Sequence, residues 1–177
     1  MTYTPAWSAA FSKPLLNQII AIIQRDQASA IALVNPALAP MNEFHKGPGP
    51  RTALPWLTLA ADQTDFDVSS PWTRAWHTAV TLTLDAGQFD QEFAQDNAQD
   101  YARVLDMIIT TASGSDWMTP LPVVHETVPG GITVPPEAGS VKEVFVASHR
   151  YSVAAAPNLD VPVMRAVLNV VFRAQET

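Results

Sequence analysis

The chain has 177 residues, no cysteine and a formal net charge of −7, from 10 Lys+Arg against 17 Asp+Glu. Its length fits one domain that buries roughly 70% of the surface the unfolded chain exposes, so a core needs no metal or disulfide to hold it. The lack of cysteine excludes a disulfide framework, a zinc-thiolate site and a Cys nucleophile, and the scatter of single Lys and Arg residues argues against tight binding of nucleic-acid phosphates.

Residues 1–11 (MTYTPAWSAAF) form an uncharged arm with Tyr3, Trp7 and Phe11. It reads either as a frayed end whose aromatics pack locally or as an arm that docks on a neighbouring subunit. No basic n-region precedes an apolar run, so no signal peptide is expected. The longest apolar run, 19–23, is far too short to span a bilayer. Ser12 reads as an N-cap with Pro14 in the first turn. Leu16, Ile19, Ile20 and Ile23 then recur at helical spacing, widened by Leu15 and Ile22. The pattern allows this helix to run through 28–33 before Asn35-Pro36 stops it.

Residues 37–54 read as a loop, because KGPGPR at 46–51 cannot sit inside a helix or a central strand. A short strand is expected over 55–59 and a polar turn over 62–70. From 72 to 85 the chain alternates, with Trp76, Val80, Leu82 and Leu84 on one face and Ala75, His77, Ala79, Thr81 and Thr83 on the other. Residues 88–111 carry the strongest helical signal. Ala94, Ala98, Tyr101, Leu105, Ile108 and Ala112 step by four and three, with Phe93, Ala102, Val104 and Ile109 broadening the stripe. Asp90, Glu92, Asp96 and Asp100 suit the early turns of such a helix.

Residues 112–140 form a loop-rich insertion in which 123–128 is expected to pair with 132–134 across Pro129-Gly130-Gly131. Two strands close the chain. Over 141–155, Phe145, Ala147, His149, Tyr151 and Val153 share one side. Over 161–174, Met164, Ala166, Leu168, Val170 and Phe172 face inward, opposite Val163, Arg165, Val167, Asn169, Val171 and Arg173. The order predicts a single α+β domain over 12–177, with a mixed, mostly antiparallel sheet and helices packed on one face.

Motifs that carry chemistry are absent. His45, His77, His125 and His149 show no i, i+4 metal spacing and no HExxH; GxxxxGK[ST], GxGxxG and GxSxG do not occur. Asp62, Asp65 and Asp67 lack the spacing and glycine of a calcium loop. No catalytic, cofactor-binding or metal-ligating residue is assigned, and no cofactor is expected. The alternative is an enzyme or small-ligand binder whose site converges only in three dimensions.

The informative features concern surfaces. Charged residues make up 15% of the chain, against about 25% in average soluble domains, which fits a surface partly covered by partners. Trp7, Trp56, Trp72, Trp76 and Trp117 are either core residues or interface anchors. The last strand is apolar on both faces, so it is either central and covered on both sides or it meets a partner. The candidate contact residues are Trp7, Trp72, Arg74, Arg150, Val163, Arg165, Val167 and Arg173.

The helix over 14–25, the segment LPWLTLA at 54–60, the strand RAWHTAVTLTLDA at 74–86 leading into an acidic helix with Asp100-Tyr101-Ala102, and the closing hairpin around 144–172 together resemble the tail terminator (tail completion) proteins of long-tailed bacteriophages. The likeness covers most of the chain and lies in the pattern rather than in an invariant motif. The 112–140 insertion and the aromatic arm depart from it. The resemblance implies a virion protein made in the bacterial cytoplasm: a subunit of a ring, usually of six, that caps the tail tube and meets the head-side neck proteins. DNA passes through the lumen without specific binding, and no membrane is involved. Head-tail joining or minor tail proteins elsewhere in the particle are the related alternative.

Overall fold

Asn35 and Asp90 set the ends of the two helices around which the chain folds. The computed structural model describes residues 8–47, 52–70, 73–87, 90–112, 139–154 and 161–176, with side chains at 15–47, 52–62, 77–87, 90–112, 141–154 and 161–173. Trp7, Trp72, Trp117, His125 and the expected 123–134 hairpin lie outside them.

Helix α1 (Ser8–Val34) begins four residues before the expected Ser12 cap. Pro14 therefore lies inside the helix, where its nitrogen cannot donate to the carbonyl of residue 10. The helix stops where expected. The Asn35 amide donates to the Ile31 carbonyl (2.9 Å), and its side chain accepts from the Ala37 amide (3.0 Å). The same side chain donates to Asp100 (2.8 Å), tying the stop to the second helix. Leu15, Ile19, Ile22, Ile23 and Ile31 form the buried stripe.

Within the segment read as a loop, β1 (Glu43–Lys46) pairs in parallel with β2 (Trp56–Ser70). Strand β2 also runs through the expected 62–70 turn. Those residues are mostly polar, but they pair with β3 (Thr73–Gly87) almost to its start, Ser70 lying opposite Thr73. The connection from β1 to β2 is held by one carboxylate. Glu43 accepts from the Thr52 hydroxyl, from the Thr52 amide (3.2 Å) and from the Ala53 amide (2.8 Å). Gly47, at φ +98°, supplies the left-handed residue that starts the turn.

Helix α2 (Gln91–Thr111) is capped by Asp90, whose side chain accepts from the Glu92 amide (2.8 Å). Its stripe is the expected one, with one exception: Phe93 is exposed. Strands β4 (Gly139–Val153) and β5 (Val163–Glu176) complete a five-stranded sheet of order β1-β2-β3-β5-β4, antiparallel except at β1–β2.

The molecule is thus α+β, with both helices on one face of a mixed sheet. The core lies between α2 and the even-numbered positions of β3 and β5, where Val80, Leu82, Leu84, Ala166, Leu168, Val170 and Phe172 are fully buried. Strand β4 departs from simple alternation. Register shifts between Val141 and Glu143 and between Val146 and Ser148 each insert an unpaired residue. By register, Phe145 pairs with Val171 on the outer face, whereas His149 and Tyr151 pair with Leu168 and Ala166 on the helix face. The expected single row of Phe145, His149, Tyr151 and Val153 is therefore split, because a bulge reverses the phase of everything beyond it.

Candidate assembly surface

The face of the sheet opposite the helices carries its polar chemistry in cross-strand rows. In the first, β2, β3 and β5 bring Trp56, Asp85 and Arg165 side by side. The Arg165 guanidinium donates Nε to Asp85 Oδ1 (2.7 Å) and Nη2 to Oδ2 (2.8 Å), and the Trp56 indole N–H donates to Oδ2 (2.8 Å). Asp85 is 1% exposed, so its charge is stabilised by these donors rather than by water. Hydrogen bonding to Asp85 raises the Arg165 pKa against the opposing effect of burial.

In the second row Thr81 donates to Asp62 and lies 3.0 Å from Asn169 Oδ1, while the Asn169 amide donates to Ser148 (2.8 Å). A third lies toward the other end, where Arg173 pairs with Glu143 (2.7 Å) and stacks over the Phe145 ring (5.7 Å to its centroid). Between the rows, Thr83, Val167 and Val171 are half-buried, and the Thr58 hydroxyl is buried without a hydrogen-bond partner among the described residues.

On the helix face, near the edge, His149 Nε2 lies 3.6 Å from Asp106. Burial and the Asp106 charge push the neighbouring Tyr151 hydroxyl pKa upward. Burial also pushes Tyr101 up to about 12, although its hydroxyl donates to the Ala39 carbonyl (2.6 Å).

The expected contact residues thus divide. Val167 and Arg150 are opposite each other on the outer face, half-buried and exposed respectively. Arg173 is exposed but bound to Glu143. Val163 is 2% exposed, and Arg165, about a third exposed, is bound to Asp85. Arg74 lies on β3, its side chain outside those described. Asp85, Asn169, Ser148 and Glu143 were missed. The signal available for Asp85 and Arg165 was their shared phase: each falls on the non-core face of its strand.

Among the described residues no group of three or more His, Asp or Glu side chains could hold a metal ion, and no helix is long and apolar enough to cross a membrane. His45 and His149 each approach a single carboxylate, Glu43 and Asp106.

No protein-family profile matches the sequence, and neither does any curated protein. The fold, however, has a solved counterpart. A chain from the virion of a native gene transfer agent particle superposes with a TM-score of 0.56 at 13% identity, covering 98% of this chain and 100% of that one. At that identity what the two share is the fold, and they share it end to end.

Proposed function

We propose that this chain is a structural virion protein, a tail terminator whose copies form a ring that caps the tail tube and joins it to the head-side neck. The observation that carries the reading is the end-to-end match in fold to a chain of a virion particle, with nothing substantial left over on either side. The order of elements supports it: a leading helix, a long β2–β3 ribbon, a capped acidic helix and a closing hairpin. The net charge of −7 suits a ring through which DNA passes without sticking. The outer sheet face, crossed by polar rows and by exposed Arg150 and Phe145, offers a surface for contacts between subunits or with the tube.

Native mass spectrometry and negative-stain imaging of the purified protein, alone and mixed with tail-tube protein, test the reading. The expected result is one discrete ring mass and rings seated on tube ends. A protein that stays monomeric at high concentration and ignores tail tubes would overturn it.

A further inference from the structure

The sheet ends in two long edges of opposite character. On one side β1 covers β2 only from Trp56 to Leu59; among the described residues no strand pairs with β2 on that side from Ala60 to Ser70. On the other side β4 pairs with β5 alone among the described residues. Such edges present rows of unpaired N–H and C=O groups that favour addition of another strand. Each is broken by register shifts, leaving a regular stretch at 63–67 of β2 and another at 148–153 of β4.

The charges differ in sign. Residues 60–70 carry Asp62, Asp65 and Asp67 and no basic residue. Strand β4 carries Lys142 and Arg150, both exposed and without an ion pair among the described residues, while its Glu143 is held by Arg173. By register, Asp65 (opposite His77) and Arg150 (opposite Val167) occupy positions of the same sheet face.

We infer that the β4 edge of one subunit adds, antiparallel, to the β2 edge beyond β1 of a second copy, with Arg150 meeting Asp65 and Asp67 across the seam. The inference rests on the ring reading above and names the surface that would build the ring. Within one sheet β2 and β4 already run in opposite directions, so the joint continues the alternation. Self-pairing of like edges would set Arg150 near Arg150, or aspartates near aspartates, and like charges set together disfavour such contacts. What remains is a front-to-back contact, which repeats and closes into a ring when the rotation permits. The two stretches are offset along β5 by six residues (167 to 173), about 20 Å. Four strands span about 19 Å across the sheet. Such a stagger closes without a helical rise when strands tilt by roughly 45° to the ring axis, within the range seen in closed sheets.

The test compares wild type, Asp65→Lys, Arg150→Glu and the double variant by native mass spectrometry and sedimentation, with thermal melts as the check on folding. Each single reversal is expected to raise the subunit concentration needed for assembly at least about tenfold, and the double variant to restore assembly. Hydrogen exchange on wild type, as ring and after dilution to monomer, should show added protection at 63–67 and 148–153. If the reversals fail to fold, this measurement decides alone. Wild-type rings with unaltered assembly in both reversals and no added protection would overturn the inference and leave the ring reading standing. Seam-joined rings that ignore tail tubes would support the inference while overturning the tail-terminator reading, and a strictly monomeric wild type would overturn both.

Discussion

At the scale of single residues, the fold relies on a few carboxylates, and Asp85 is the most demanding. It is buried, bidentate to Arg165 and bonded to the Trp56 indole, so removing it leaves a cation and an N–H unanswered. Asp85→Ala is expected to destabilise the protein by about 3–5 kcal/mol, read as a shift in the urea midpoint. Arg165→Met is expected to cost at least as much, since it leaves the 1%-exposed carboxylate with the indole donor but no cation, whereas Arg165, 35% exposed, can hydrate when Asp85 is removed. Glu43 acts at the surface. The Thr52 hydroxyl, then the Thr52 amide, with further help from His45 and Ala53, lowers its pKa from 4.5 to about 2. The sign follows from proton counting. Between those values the unfolded chain binds a proton that the folded one refuses, so stability is present above 4.5 and is lost as the pH falls toward 2. Urea midpoints at pH 5 and pH 3 should fall more for wild type than for Glu43→Gln, whose loop is already loosened at both. None of these partnerships was legible in the sequence. Trp56 and Asp85 lie 29 residues apart and Asp85 and Arg165 lie 80 apart, so only the register of three strands joins them.

At the scale of elements, legibility tracked burial. Strands β3 and β5 and helix α2 each bury one face in the core, and their periodicity showed it. Ala94, Ala98 and Ala102 are buried on the first turns of α2 and keep that part of the stripe small. Its start depends on Asp90, and Asp90→Ala is expected to cost about 1 kcal/mol, measurable as a lower urea midpoint with an unchanged slope. The distal half of β2 was illegible. Asp62, Gln63, Thr64, Asp65 and Asp67 look like a turn, yet they form a strand because β3 offers a ladder along its whole length. β1 was hidden for a related reason: four residues beside a Pro/Gly loop hold as a strand only when a side chain such as Glu43 closes the loop behind them. Phe93 shared the phase of the α2 stripe but lies at its first turn, where no neighbouring element covers it among the described residues.

At the scale of the molecule, the strands are longer than the helix packed across β3, β5 and β4. Strands of 15 residues reach about 50 Å, whereas α2, with 21 residues, reaches about 32 Å. Part of the sheet therefore extends past α2. Among the described residues its outer face is tied together by ion pairs and amide–hydroxyl bonds rather than by packing beneath a helix. That arrangement suits a subunit whose surface is completed by neighbours, as the ring proposal requires. The α+β class and the placing of both helices on one face followed from the order of elements alone; the identity of the two edge strands did not, because strand order depends on pairings between distant segments.

The bulge at Ala147 has a consequence for any strand that comes to lie beside β4. A perfectly regular strand looks nearly the same after sliding by two residues, so a partner can settle in several positions. β4 lacks that translational symmetry: it turns Phe145 to one side and Tyr151 to the other within six positions. A shifted partner would meet the aromatic on the wrong side and the unpaired residue at the wrong height. In a ring joined through this edge, the irregularity would work as a key cut, admitting a neighbour in one alignment and rejecting its slipped copies.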